Sequence, residues 1–239
     1  MRLIDRAAPP PGSLLLLPEM FATGFSMNVD AISDSESHET QDFLAEVARD
    51  REVYVAGGLV SRNGKGRGLN ECVVYDPYGE EIARYAKMRT FTPGGESDHY
   101  DPGTSIALFE WQGVTVAPFI CYDLRFPELF REATRHGATL FTVMASWPAP
   151  RIEHWTVLAR ARAIENQAYL AACNRCGDDP TSSYPGRSLI VDPLGKVIAE
   201  GSGEECAVRA EVDSAVVATY RTKLPFLGDD RQKRRLAAV

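Results

Sequence analysis

Short apolar runs alternate with amphipathic helical patterns along the chain, and glycine and proline mark most of the junctions between them. This alternation is typical of strands that feed crossover helices, so the sequence predicts an α/β fold. The runs that we interpret as strands cover residues 14–17, 53–60, 71–75, 82–86, 114–120, 138–145, 168–173, 189–192 and 206–212.

Three helices are predicted from their end signals and spacing. One follows Ser33, which forms a capping-box pattern with Glu36. A second begins at Pro127 and ends at Gly137, because proline suits the first helical position and glycine suits the position after the last turn. A third covers about residues 153–167.

Length and charge limit the kinds of molecule that this chain can be. Its 239 residues, 44% hydrophobic, suit one domain over residues 1–239, and two similar Asp-Pro-x-Gly turns, 76–79 and 192–195, hint at two halves. A net charge of −7 argues against nucleic-acid binding. The apolar stretches are far shorter than the ~20 residues of a membrane span, and the sequence shows no secretory signal pattern. We therefore predict a cytoplasmic protein. Five cysteines leave at least one thiol unpaired.

Three residues that could share one reaction each follow an apolar run. Glu19 follows residues 14–17, Lys87 follows 82–86, and Cys121 follows 114–120, just before the Pro127 helix. If the strands are parallel neighbours, the three groups meet at one sheet edge, where open α/β sheets place ligands. The turn and a nearby lysine are expected to lower the pKa of the Cys121 thiol. A carboxylate, an ammonium and a thiol suit acyl transfer, whereas each alone is more typical of a surface charge or a buried, inert cysteine.

The surrounding residues resemble the nitrilase or carbon-nitrogen hydrolase superfamily, particularly its omega-amidase-like branch. The segments that carry the resemblance are Leu17-Pro18-Glu19-Met20-Phe21, Thr23-Gly24-Phe25, Tyr85-Ala86-Lys87, the block from Ile120 to Glu128, Trp147-Pro148-Ala149-Pro150-Arg151, His154-Trp155 and the block from Ala161 to Gln167.

The resemblance implies a role for each of several residues. Glu19 is the general base, Lys87 stabilises the oxyanion and Cys121 is the nucleophile. The backbone N–H of Tyr122 joins the oxyanion hole. A second glutamate is expected after the lysine, where Glu96 fits best, although Asp98 lies close in sequence.

The resemblance also implies a four-layer α-β-β-α sandwich, no cofactor or metal, and a homodimer. The implied substrate is a small amide, such as the omega-amide of a 2-oxo dicarboxylic acid, of which 2-oxoglutaramate is an example. Phe25, Tyr122 and Trp147 are the expected pocket walls, although aromatic side chains fit core packing equally well. One arginine is expected to bind the substrate carboxylate, with Arg125 chosen from a set that also includes Arg89, Arg151 and Arg175.

Two departures from the family pattern stand out. Lys87-Met88-Arg89-Thr90 replaces the usual Lys-x-His-Leu, so the pocket entrance is expected to differ. The chain also starts late: residues 1–6 correspond to the end of the helix that usually follows a first strand. We therefore expect that strand to be missing, which leaves strand edges and apolar surface uncovered. Either the native start lies upstream or the protein is compromised.

Other interpretations remain open at the level of sequence. The chain could be an N-carbamoyl-compound amidohydrolase of the same superfamily, or a non-catalytic relative that acts as a binding protein. Cys173 and Cys176 have C-x-x-C spacing, but no second Cys/His pair exists to complete a zinc site. His154 begins a helix and is interpreted as a packing or capping residue.

Overall fold

The computed structural model describes residues 2–230. Its α-helices are α1 (Arg2–Ala7), α2 (Val29–Ile32), α3 (Glu39–Arg51), α4 (Glu96–His99), α5 (Pro127–Arg135), α6 (Ile152–Asn166) and α7 (Ser214–Lys223). Its strands are β1 (Leu14–Leu16), β2 (Tyr54–Arg62), β3 (Gly68–Tyr75), β4 (Glu81–Ala86), β5 (Phe109–Trp111), β6 (Val114–Ile120), β7 (Leu140–Ala145), β8 (Tyr169–Asn174), β9 (Cys176–Asp178), β10 (Ser183–Pro185), β11 (Leu189–Val191) and β12 (Val197–Glu200).

The strands form two main sheets. The first sheet has the order β1-β2-β3-β4, with β1 parallel to β2 and antiparallel pairing elsewhere. The second has the order β12-β11-β8-β7-β6-β5, and its central strands β6, β7 and β8 run parallel. Strands β9 and β10 pair separately as an antiparallel hairpin. Because parallel sheets are covered on both faces, the central strands are continuous apolar runs.

Each sheet is buried on both faces, and alternation along the strands decides which side chain faces which layer. In the first sheet, Val55 and Val73 pack with Leu44 and Val47 of α3. Their strand neighbours, such as Ala56, join the core shared with the second sheet. Helices α5 and α6 bring further buried side chains to that core. The result is the predicted four-layer α-β-β-α sandwich.

Two of the three predicted helices have the expected ends. Helix α5 begins at Pro127, and Gly137 adopts a φ of 101° just beyond its end. Helix α6 ends where Gln167 takes a left-handed conformation. The capping box at Ser33 is wrong, because Ser33 ends the short helix α2 instead. Helix α3 starts later, and the Asp34 carboxylate accepts hydrogen bonds from the N–H groups of Thr40 and Gln41 in its first turn.

The predicted strand over residues 206–212 is also wrong. This segment is mostly exposed, and within the described chain its backbone forms no hydrogen bonds to a neighbouring strand. A strand needs a partner for its N–H and C=O groups, and an apolar pattern alone does not provide one.

Strand β1 lies at the edge of its sheet, and its half-buried leucines line a groove of about 1010 Å³ that segment 202–208 also borders.

The short strands β5 and β12 were not recognised in the sequence, nor was helix α7. Within residues 2–230, no helix combines the length and apolar character needed to cross a bilayer.

Candidate active site

Glu19, Lys87 and Cys121 lie together, although not at one sheet edge. Lys87 directly follows β4, and Glu19 follows β1 after a two-residue extension; these strands are the opposite edges of the first sheet. Cys121 follows β6 of the second sheet. The three strands are therefore not neighbours in one sheet, and the three residues meet between the two packed sheets.

A buried ion-pair cluster joins two carboxylates to one ammonium. The Lys87 Nζ donates to Glu19 Oε1 at 3.0 Å and to Glu96 Oε2 at 2.8 Å. All three residues are at most 1% exposed. Removing either partner from such a cluster leaves an uncompensated buried charge, which typically costs about 3–5 kcal/mol. The cluster carries a formal charge of −1 if both carboxylates are ionised.

The two carboxylates set the protonation of Lys87. Burial by itself lowers the pKa of this ammonium, but the charges of Glu19 and then Glu96 outweigh burial and raise the pKa above the ordinary lysine value. Lys87 therefore stays charged at neutral pH, as an oxyanion partner must.

The second carboxylate of the cluster is Glu96 and not Asp98. Glu96 is fully buried and accepts hydrogen bonds from Lys87 and from the Phe91 N–H. Asp98 is exposed and lines a separate surface cavity. The sequence left both residues possible, and the structure places only Glu96 on the lysine.

Cys121 occupies a strained turn at the end of β6. Its φ of 46° lies in the left-handed region, which costs a non-glycine residue about 1–2 kcal/mol. The Asp123 carboxylate holds this turn by accepting hydrogen bonds from the N–H of Ile120 at 3.0 Å and of Arg89 at 2.9 Å, and from the Tyr85 hydroxyl at 2.7 Å. Burial raises the pKa of Asp123 to about 6, against the opposing effect of these hydrogen bonds.

The expected lowering of the thiol pKa is wrong in direction. Desolvation, followed by the negative charge of Glu19, raises the pKa of Cys121 well above its ordinary value, although Lys87 and the Ser146 N–H act against this. The resting sulfur is therefore a neutral thiol. A nucleophilic thiolate requires transfer of its proton to a neighbouring base.

A cavity of about 390 Å³ opens beside the sulfur. Its lining includes the three central residues and all of the predicted wall residues, Phe25, Tyr122 and Trp147. The Phe25 ring centroid lies 5.5 Å from Lys87 Nζ, and Trp147 is 2% exposed. Glu96 lies behind Lys87, outside this lining.

Two of the four candidate arginines line this cavity. They are Arg125, whose guanidinium lies 4.8 Å from the Trp147 ring centroid, and Arg151, which lies 5.4 Å from the Phe91 centroid. In the described part of the chain, neither has a carboxylate within ion-pairing distance. Burial, and then the charge of Arg151, lower the pKa of Arg125.

The other two candidate arginines are paired with acidic residues: Arg89 with Glu128 at 3.2 Å, and Arg175 with Asp179 at 3.3 Å. His154 is exposed, and its Nδ1 lies 3.3 Å from the Arg125 guanidinium, so its predicted role in packing or capping is wrong.

Three residues at the centre were missed in the sequence. Asn70 donates to both buried glutamates, Asp123 holds the cysteine turn, and the Ser146 N–H donates to Glu19 Oε2 at 2.9 Å. Asn70 is followed by the charged Glu71 in strand β3, so no local apolar pattern marks it in the sequence. The five cysteines are all free, and within residues 2–230 no group of His, Cys, Asp or Glu side chains is arranged to hold a metal ion.

Comparisons with known proteins show which family the chain belongs to. The family model described as carbon-nitrogen hydrolase matches residues 1–222. A 2-oxoglutaramate amidase of Bacillus subtilis (strain 168) is 38% identical over 220 residues, covering 92% of this chain and 85% of the relative. Omega-amidase YafV of Escherichia coli (strain K12) is 35% identical over 218 residues, covering 90% and 83%.

Solved structures give the same result. XC1258 from Xanthomonas campestris, a CN-hydrolase superfamily protein with an arsenic adduct in its active site, superposes with a TM-score of 0.84 and 31% identity, covering 91% of this chain and 84% of that one. A mutant amidase from Nesterenkonia sp. AN1, covalently modified at its active-site cysteine, has a TM-score of 0.84 and 27% identity, with coverages of 97% and 87%. The resemblance seen in the sequence is thus confirmed, and the chain belongs to the carbon-nitrogen hydrolase family, as an amidase with the nitrilase-superfamily fold.

Proposed function

We propose that this amidase hydrolyses the terminal amide of a small substrate that carries a carboxylate, the omega-amide of a 2-oxo dicarboxylic acid such as 2-oxoglutaramate. The products are the dicarboxylic acid and ammonia. The observation that carries the proposal is the Glu19–Lys87–Glu96 cluster beside Cys121 in a cavity that also contains two arginines without acidic partners among residues 2–230. Relatives named 2-oxoglutaramate amidase and omega-amidase support the substrate class.

In the first half of the reaction, the Cys121 sulfur attacks the amide carbon as its proton passes to Glu19. The acceptor is Oε2, because Oε1 already accepts from Asn70 Nδ2 at 2.8 Å and from Lys87 Nζ at 3.0 Å. Oε2 accepts only the Ser146 N–H at 2.9 Å and has a lone pair left. The Lys87 ammonium and the Tyr122 N–H stabilise the oxyanion. Glu19 then protonates the amine, the C–N bond breaks, and ammonia leaves a thioester on Cys121.

In the second half, the ionised Glu19 removes a proton from a water molecule, which attacks the thioester carbon. The tetrahedral intermediate collapses with breakage of the C–S bond. The thiolate regains its proton from Glu19, and the acid is released. Each proton that Glu19 accepts changes the formal charge of the Glu19–Lys87–Glu96 cluster from −1 to 0, and each proton that it donates restores the charge of −1.

Arg125 is the residue that we propose for the substrate carboxylate, with Arg151 beside it. Guanidinium groups bind carboxylates bidentately, and an anion between two unpaired guanidinium groups relieves their mutual repulsion. Asp179 also lines the cavity, but its carboxylate is already engaged with Arg175 and Thr181.

The test compares ammonia release from 2-oxoglutaramate, from an uncharged amide of similar length and from an N-carbamoyl amino acid. We expect kcat/KM to be highest for 2-oxoglutaramate. In Arg125→Gln this preference over the uncharged amide falls about tenfold or more, mainly through KM, as expected for loss of a charged hydrogen-bonded pair. Activity confined to the N-carbamoyl compound would instead identify an N-carbamoyl amidohydrolase.

We also propose that the protein is a cytoplasmic homodimer. Five free thiols suit a reducing compartment. Val157 and Ile164 are 60% and 46% exposed and lie seven residues apart on α6, so they share one outward face that a second copy could cover. Light scattering after gel filtration tests the dimer, and a monomeric mass would contradict it. Cell fractionation tests the location, and a periplasmic protein would contradict it.

A further inference from the structure

Asn70 lies at the centre of the catalytic cluster without lining the cavity. Its Nδ2 donates to Glu19 Oε1 at 2.8 Å and to Glu96 Oε1 at 2.9 Å. Its backbone carbonyl accepts the Lys87 N–H at 2.8 Å. One residue of strand β3 thus contacts all three charged residues, and it is 1% exposed.

The orientation of the Asn70 amide follows from its neighbours. Ionised carboxylates only accept hydrogen bonds, so the NH₂ group must face Glu19 and Glu96. The Oδ1 atom is then buried without a partner among the described residues. An unpaired buried carbonyl typically costs about 1–3 kcal/mol. What distinguishes Asn70 from a merely structural asparagine is that its Nδ2 donates to the two buried carboxylates of the cluster.

The charges around it suggest what that role is. Two buried carboxylates share a single ammonium, so further donors are needed to fill their remaining lone pairs. Asn70 supplies one N–H to each and fills the second lone pair of Glu19 Oε1. This leaves Oε2 as the free proton acceptor. The two donated bonds also fix the spacing of the glutamates around Lys87.

We propose that Asn70 is a positioning residue of the reaction: its single amide nitrogen holds the Glu19 and Glu96 carboxylates in place around Lys87 and directs the Cys121 proton to Glu19 Oε2. The inference rests on the proposed function, because it assumes that Glu19 is the base for Cys121. The other titratable groups that interact with Glu19, Lys87 or Glu96 are Tyr100 after α4, and Cys121 and Asp123 from the turn after β6.

The test measures how fast Cys121 reacts with iodoacetamide as a function of pH, by peptide mass spectrometry. In this reaction the sulfur forms a C–S bond and iodide leaves, so the rate depends on loss of the thiol proton without requiring an amide substrate. The variants are Asn70→Asp, which keeps the shape but loses the donors when ionised, together with Asn70→Ala and Asn70→Ser.

Asn166 provides a matched control. It is also a fully buried asparagine with an unpaired Oδ1, but its Nδ2 donates to the Arg162 carbonyl in α6, away from the cluster. Asn166→Asp replaces a buried amide with a carboxylate, as Asn70→Asp does. We expect it to lower the melting temperature without moving the pH profile of Cys121.

We expect the acid limb of the alkylation profile to move at least about one pH unit upward in Asn70→Asp, and in the same direction in the alanine and serine variants. For ammonia release, kcat falls about tenfold or more while KM changes less than about threefold. If the limb does not move in a folded Asn70 variant while the wild-type protein releases ammonia from 2-oxoglutaramate, this inference alone is overturned. If the folded wild-type protein releases no ammonia from 2-oxoglutaramate, the proposed function fails instead.

Discussion

Asp123 connects the two parts of the site that come from different sheets. It lies in the turn of Cys121, and its carboxylate binds the Ile120 N–H on one side and the Arg89 N–H, two residues beyond Lys87, on the other. The Tyr85 hydroxyl of β4 donates to the same carboxylate. The position of the nucleophile relative to the lysine therefore depends on a buried, ionised acid.

Asp123→Asn tests the pH dependence of that connection. The pKa of Asp123 is raised to about 6, so the folded state binds its proton more tightly than the unfolded state does. Its contribution to the free energy of unfolding is therefore lost as pH rises, by about 2 kcal/mol between pH 4.5 and pH 7. The asparagine variant lacks this dependence. Urea unfolding at both pH values should show the wild-type advantage shrinking as pH rises; an advantage that grows with pH would contradict the account.

Glu19, Lys87 and Cys121 share a position after an apolar run, where a polar residue is conspicuous, and Asn70 lacks such a position. Ser146 also follows such a run, but it acts through its backbone N–H, which no side-chain pattern marks. Asn70 lies inside a strand and acts through contacts with residues 51 and 26 positions away, which no local pattern reveals. The turn and the nearby lysine predict a lowered pKa for the Cys121 thiol. Burial of the sulfur and the neighbouring Glu19 carboxylate raise that pKa instead.

Close packing of β2 against the turn after β1 positions Glu19. A Cβ atom added to Gly58 would lie 2.7 Å from the Met20 nitrogen and 2.8 Å from the Glu19 Cα. Both contacts are with backbone, which cannot move aside as a side chain can. Met20 itself has a φ of 46°, so the turn is already constrained.

Gly58→Ala should therefore displace Glu19 from Lys87. We expect kcat to fall at least about tenfold, because small displacements of a catalytic group are costly, and stability to fall by about 1–3 kcal/mol from overpacking. Gly64→Ala is the matched control, since its added Cβ would meet nothing within 4 Å. Steady-state ammonia release and thermal unfolding check both variants. Equal kcat in the two would show that β2 does not position the base.

Secondary structure was predictable where one local pattern determined it. The long runs that form β2, β6 and β7 are predicted correctly because they are mainly apolar. Segment 206–212 has the composition of a strand but no partner in the described chain, and pairing is a property of the whole sheet. The start of α3 was misplaced because Asp34 caps it from several residues away.

One hydrophobic core joins the two sheets and the helices over the second sheet. Phe119 of β6 lies at its centre, with its ring centroid 5.7 Å from Tyr85 in the first sheet and 4.1 Å from Phe130 in α5. The sequence predicted one domain over residues 1–239. We propose that the described part, residues 2–230, folds as one unit, because neither sheet can bury its inner face alone.

Native-state hydrogen exchange tests that proposal. The slowest amides of β2 and β3 in the first sheet should share one opening free energy with those of β6 and β7 in the second, within about 1 kcal/mol, since a single cooperative unit opens as a whole. The denaturant dependence of exchange should also be the same for both sets. Exchange of the first sheet at a clearly lower free energy would contradict a single unit.

The central claim is that Cys121, with Glu19 and Lys87 beside it, forms the bond to the substrate. The most direct measurement is acid quenching during turnover of 2-oxoglutaramate, followed by peptide mass spectrometry. The account predicts an acyl group on the Cys121 peptide as a thioester, with neither adduct nor ammonia in folded Cys121→Ala. Ammonia release at the wild-type rate by that variant, or an acyl group on another residue, would contradict it.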